Sequence, residues 1–194
     1  MKKNADGTTE YTACFVPNEM PGLKCELSSR VAGRHDSFRK LDQFTPFWSN
    51  LNETLSTKSN VQIYVSALEC KRPAILIAPV VDRKGGWAFM KKVAILADGK
   101  VVLERDFQHH EVQRSNDANG VFERIDLITN DADQIGLRQF IKAKERVVRI
   151  TGSKGYLTLP TKDVEHLVGD VTTAFIVHDA IVNALSKAGG PECR

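Results

Sequence analysis

No stretch of the 194-residue chain approaches the roughly 18 consecutive apolar residues a membrane-spanning helix needs. Charge of one sign is nearly absent as a surplus: 27 basic against 24 acidic residues leave a formal charge of +3. That does not point to nucleic acid, whose partners carry strongly basic domains. Aromatic residues amount to 7%, so a base-stacking platform interleaved with Lys and Arg has little to be built from. Phe89-Met90-Lys91-Lys92 comes nearest, and core packing is the role expected of Trp87 and Phe89. The four cysteines form no Cys-x-x-Cys or Cys-x-x-His pair, which argues against zinc. The chain has no Gly-x-Ser-x-Gly elbow and no Gly, four residues, Gly-Lys-Ser/Thr phosphate loop. No internal repeat or low-complexity tract occurs, and no pattern implies a cofactor.

What is present is the composition of a soluble globular protein, 42% apolar and 26% charged. Residues 1–35 lack periodicity and read as an irregular N-terminal arm; residues 36–194 read as a single α+β domain. Cys14, Cys25, Cys70 and Cys193 permit two disulfides in three pairings. A Cys14–Cys25 bridge would tie a loop stiffened by Pro17 and Pro21, and Cys70 is the candidate anchor for a tail ending near Cys193. Such bridges favour an extracytoplasmic compartment over the cytoplasm. The opening Met1-Lys2-Lys3 is basic but lacks the apolar stretch of a signal peptide, so either the chain is cytoplasmic or a leader was removed and Met1 added.

Residues 36–57 carry Phe38, Leu41, Trp48, Leu51 and Leu55 at helical spacings, with Thr45 and Pro46 restarting the helix. Val61–Leu68 and Pro73–Val81 read as strands, Pro79 placing an edge or bulge. Trp87–Ala97 and Lys100–Phe107 flank Asp98-Gly99, a strong hairpin signal because both turn residues need positive φ. Gln108–Asn119 is polar and reads as a loop, followed by a strand over Val121–Ile128. Thr129 or Asn130 caps a helix with Asp131 and Asp133 in its first turn and Leu137, Phe140 and Ile141 on its apolar side. Strands at Arg146–Thr151 and Tyr156–Leu159 follow, and then a helix capped by Thr161, with Val164, Leu167, Val168, Val171, Phe175, Val182 and Leu185 as its buried stripe, and stopped at Gly189-Gly190-Pro191. The sum is an antiparallel or mixed sheet with helices packed mainly on one face.

Six basic residues between Arg138 and Lys154 (Arg138, Lys142, Lys144, Arg146, Arg149, Lys154) face one acid, Glu145. This strip, with Tyr156, is the expected contact surface: Arg138, Lys142, Arg146, Arg149, Lys154 and Tyr156. Gly152-Ser153-Lys154-Gly155 reads first as a hairpin turn and secondarily as an anion nest. His109 and His110 read as a solvated strand end, His178 as a hydrogen-bonded, semi-buried helix residue, and His35 and His166 show no obvious partner. Glu69-Cys70-Lys71 matches the Glu-x-Lys half of a metal-dependent nuclease core. That core also needs an acid on a preceding strand, and the upstream acids Asp42 and Glu53 fall in the expected helix.

Lys92–Lys100, Arg149–Tyr156 and the capped final helix together resemble the C-terminal module of bacterial exported proteins and lipoproteins of unknown activity. The likeness covers about half the chain, from Lys92 to Leu185, and implies a cell-envelope location. The leading expectation is a non-catalytic binding domain of bacterial or phage origin, its partner a protein or an anionic ligand. The alternatives are a metal-dependent hydrolase using Glu69 and Lys71, and nucleic-acid binding through the basic strip.

Overall fold

The computed structural model describes residues 31–55, 59–68, 71–118 and 120–187, together with four two-residue strands near the amino end. Those four pair antiparallel: β1 (Lys2–Lys3) with β2 (Thr9–Glu10), and β3 (Ala13–Cys14) with β4 (Glu26–Leu27). The other described residues build two antiparallel sheets and three helices of an α+β fold. The larger sheet holds β5 (Val31–Asp36), β6 (Leu41–Pro46), β7 (Asn60–Leu68), β8 (Ala74–Arg83), β11 (Gln113–Asp117), β12 (Gly120–Arg124) and β13 (Leu127–Ile128). Its spatial order is β11-β12-β8-β7-β6-β5, with β13 also beside β8. The smaller sheet runs β10-β9-β14-β15, from β9 (Met90–Ala97), β10 (Lys100–Asp106), β14 (Arg146–Gly152) and β15 (Gly155–Thr158).

The helices are α1 (Phe47–Leu55), α2 (Asp131–Lys142) and α3 (Thr161–Lys187). α2 covers β9 and β10, α1 lies on β5–β7, and α3 touches β6–β8 of one sheet and β14 of the other. One continuous core results. It runs from Ile63, Val65, Ile75 and Ile77 through Val171 and Phe175 of α3 to Ile95, Val148, Leu137 and Phe140. Each such side chain contributes about 1.5–3 kcal/mol on burial. Val164 and Leu167, expected on the apolar stripe of α3, are buried there too; the stop at Gly189-Gly190-Pro191 lies outside the described residues.

The first third departs most from the sequence reading. Residues 31–35, grouped with the arm, are the edge strand β5, and 36–46 form a hairpin rather than a helix. Asp36 explains the turn: its carboxylate accepts the N–H groups of Phe38 and Arg39, a local alternative to helix. Pro46 then disfavours helical backbone at Thr45, which pairs with Ala32 as a strand residue instead of capping a helix. Phe38, counted on an apolar face, is 97% exposed at the turn.

The Asp98-Gly99 hairpin forms as the dipeptide demands, with φ of 48° and 76°. Gln108–Asn119 contains a short 3-10 turn (His109–Glu111) and the edge strand β11 where a loop was expected. Its polarity hid it, because an edge strand exposed on its faces has no apolar alternation to read. Pro79 sits inside a central strand, yet the rule against it holds. β8 pairs with β13 at Ile77 and with β12 from Val80, and Pro79 lies opposite the break between them.

α2 packs so tightly on β10 that a Cβ on Gly136 would lie 1.8 Å from the Val102 carbonyl oxygen. Helix propensity alone favours Gly136→Ala by about 1 kcal/mol, but forcing backbone apart costs about 1–3 kcal/mol. The clash is with backbone, so the cost wins. Gly136→Ala should lower the free energy of unfolding in urea by about 1–2 kcal/mol; an unchanged or raised value contradicts the close approach.

Candidate functional site

The fold breaks the basic strip into parts with different jobs. Arg138 lies 3.9 Å from the Phe175 ring and 3.1 Å from Asp179, joining α2 to α3. Asp179 also meets His178 Nδ1 at 3.0 Å. Burial alone would raise the Asp179 pKa, but hydrogen bonds from His178 and Arg138 outweigh it and hold the carboxyl below its ordinary range. Arg146 donates from Nε to the Phe140 carbonyl and from Nη2 to the Ile141 carbonyl, both at 2.9 Å, satisfying the last turn of α2. Lys142 is exposed on α2. Beside it, the Glu145 and Lys144 N–H groups bond Asp98 and hold that carboxyl below its ordinary range.

The remaining three residues gather on the β14–β15 hairpin. Arg149 stacks over the Tyr156 ring at 4.5 Å, and Lys154 Nζ stands 5.1 Å from the Phe89 ring centre. Arg149 and Lys154 are exposed, and neither forms an ion pair among the described residues. Strand alternation puts Arg149, Thr151, Tyr156 and Thr158 on the face of the sheet opposite buried Val148 and Ile150. Across that face Lys92 is paired with Glu104 at 3.0 Å and Asp106 at 3.5 Å. The free positive charge is therefore confined to the hairpin half.

Residues 87–89, which connect the two sheets, supply the aromatic part. Trp87 and Phe89 are half-buried and not core residues, contrary to the expectation from sequence. The reason is that β9 begins only at Met90, whose side chain takes the core position. Phe89 has φ of 51°, a left-handed backbone costing a bulky residue about 1–2 kcal/mol. Glu123 of β12 offsets that cost. Its fully buried carboxylate accepts the N–H groups of Ala88 at 2.6 Å, Phe89 at 2.9 Å and Met90 at 2.8 Å. Bonds to a charged acceptor stabilise by about 1.5–3 kcal/mol each.

Arg114 Nε faces the same carboxylate at 3.5 Å as an ion pair without an aligned hydrogen bond, while its Nη1 donates to the His109 carbonyl at 2.6 Å. His109 thereby sits against Phe89, ring centres 6.0 Å apart and 27° from parallel; Trp87 is 6.4 Å from Phe89 at 33°. The hairpin turn docks on this connection through Ser153 N–H to the Phe89 carbonyl and Lys154 N–H to the Ala88 carbonyl. Gly152 allows it: a Cβ there would lie 2.3 Å from the Ala88 carbonyl oxygen. The Gly152–Gly155 segment is a hairpin turn between strands, as read from sequence.

Other candidate groups fall elsewhere. Asp42 lies on β6 opposite Ala67 of β7, not in a helix, so an acid does sit on a strand beside the one leading to Glu69. Glu69 is outside the described residues, and Lys71 is exposed in the bend after β7. Cys25, Cys70 and Cys193 lie outside the described residues, as does the side chain of Cys14 in β3. Among the described residues no group of three His, Cys, Asp or Glu could hold a metal, and no helix is long and apolar enough to cross a membrane. His178 is hydrogen-bonded, as expected, and fully buried instead of semi-buried.

His166, which shows no partner in sequence, stacks on Trp48 at 3.7 Å and 6°. With Asn60, Asp163 and Asp170 these rings line a cavity of about 10 Å³, the size of one water. Asp170 accepts the N–H of Trp48 at 3.2 Å and the hydroxyl of Ser49 at 2.7 Å, capping α1 from α3. Ser49 Oγ in turn accepts the Ile63 N–H at 2.9 Å. No local signal could have revealed a cap 121 residues away.

Comparison with family models, curated proteins and solved structures gives no match for this chain.

Burial raises the Asp170 pKa despite its hydrogen bonds, so the native state keeps that proton to higher pH than the unfolded chain. Its contribution to stability falls as pH rises from the ordinary carboxylate range through the raised value. Asp179 is shifted down, so it stabilises above the ordinary range and loses that effect as pH falls through the lowered value. In urea denaturation against pH, the advantage of the native protein over Asp179→Asn should grow as pH rises, and its advantage over Asp170→Asn should shrink. Parallel profiles for the two variants contradict the assignments.

Proposed function

We propose that this chain is a binding domain that takes an anionic ligand on the β14–β15 hairpin and the aromatic connection beneath it. One observation carries the reading. Of the basic residues grouped in the sequence, Arg138 and Arg146 are committed to internal contacts, whereas Arg149 and Lys154 stand exposed over aromatic rings on one hairpin, without ion-pair partners among the described residues. A cation stacked on a ring keeps its charge for a ligand while its orientation is fixed. The surface is furnished for binding rather than bond-breaking. His109 stacks on Phe89, and among the described residues no hydroxyl or thiol is hydrogen-bonded to its ring.

Retention on a heparin column tests this with net charge held constant. Arg149→Ala/Lys154→Ala should elute at lower salt than the native protein, and Lys142→Ala/Lys144→Ala, which removes the same charge from α2 and the segment after it, should elute near the native position. All four side chains are exposed, so stability should change little. Equal shifts for the two double variants would contradict a localised site.

A further inference from the structure

The aromatic connection offers more than a positive surface requires. Cations alone hold an anion; they do not need three rings beside them. Yet Trp87, Phe89 and His109 form a run of neighbouring rings, 27° and 33° from parallel. The arrangement is maintained against backbone strain at Phe89. Strain that the surrounding structure over-determines points to function, and here Glu123, Arg114 and Gly152 all act to hold it.

We infer that the anionic ligand is single-stranded nucleic acid, with bases stacked on Trp87 and His109 and phosphates met by Lys154 and Arg149. This rests on the binding surface proposed above. The ring separations of 6.0 and 6.4 Å exceed the roughly 3.4 Å step between stacked bases in a duplex. A strand lying here is therefore splayed, one base on Trp87 and one on His109, as single strands are when proteins read them. Phe89 is the spacer: Lys154 stands over it and the other two rings flank it. Tyr156, 69% exposed and stacked by Arg149, offers a further ring on the same hairpin as Lys154. Sequence-tolerant stacking combined with a few cations is how single strands are bound without base readout. A duplex is disfavoured because its bases are not free to stack on rings. An acidic peptide would leave the rings unused. The pairing of Lys92 with Glu104 and Asp106 limits the track to the hairpin side, so few phosphates are engaged and the salt dependence is shallow.

The chain has two tryptophans. Trp48 stacks on His166 beside α3, and Trp87 lies on the ledge, so each reports separately. The test titrates a short oligothymidylate into the full chain at low salt and follows tryptophan emission, with a labelled copy giving affinity by anisotropy. Expected are quenching that disappears in Trp87→Phe, and affinity lowered about fivefold or more by His109→Ala, whose exposed ring leaves the melting temperature unchanged. The slope of log affinity against log salt should flatten by about 1.4 in Arg149→Ala/Lys154→Ala, at about 0.7 for each phosphate no longer neutralised. Heparin retention that depends on Arg149 and Lys154, with no quenching and no His109 effect on the oligonucleotide, would overturn this inference and leave the anion-binding surface standing. Tighter binding of the matching duplex would also overturn it. Failure to retain heparin or oligonucleotide would remove both.

Discussion

The structure depends on the carboxylate of Glu123. It is wholly buried on β12, and its three backbone hydrogen bonds fix residues 88–90, where the chain leaving β8 of the larger sheet enters β9 of the smaller. Without it, three N–H groups would be left without their acceptor inside the fold, each costing about 1–3 kcal/mol. The same bonds hold Phe89 in its left-handed conformation, and the Ala88 and Phe89 carbonyls then receive the β14–β15 turn. The join between β8 and β9 and the placing of the rings on residues 87–89 are thus one arrangement. Arg114 extends it by countering the charge of Glu123 and gripping the His109 carbonyl.

A second theme is that charged side chains finish helices across long sequence distances. Asp170 caps α1, Arg146 closes α2, and Arg105 pairs with Asp133, which also accepts the Asn130 N–H at the start of α2. Helix termini leave several backbone groups unsatisfied, and in this chain ionic groups from other elements supply part of the remedy. Part of the charge is thus internal architecture, while Arg149 and Lys154 stay exposed beside aromatic rings.

The legible parts of the sequence were those governed by neighbours. Asp98-Gly99 announced its hairpin, Thr129 or Asn130 ahead of Asp131 and Asp133 announced α2, and the apolar stripes of α2 and α3 were read from their spacing. The errors arose where a side chain overrode periodicity. Phe38 and Leu41 mimicked a helical face until Asp36 captured two of the N–H groups that follow it. The basic strip looked continuous because sequence does not show that Arg146 points its donors at carbonyls five and six residues back. Glu123 did leave a trace: it shares the parity of Val121 and Ile125 in a strand, so a charge was due to be buried there. The rings of Trp87 and Phe89 are hydrophobic yet only half-buried, because the core position falls to Met90, and composition does not show that. Asp170 left no trace, since its partners lie in α1.

Urea denaturation of Glu123→Gln tests the central dependence most directly. The amide keeps the volume but places an N–H₂ group against backbone donors. The variant should lose about 3 kcal/mol or more, with amide exchange at Phe89 and Met90 becoming faster than global unfolding allows. A loss below about 1 kcal/mol, with those amides still protected, would contradict it.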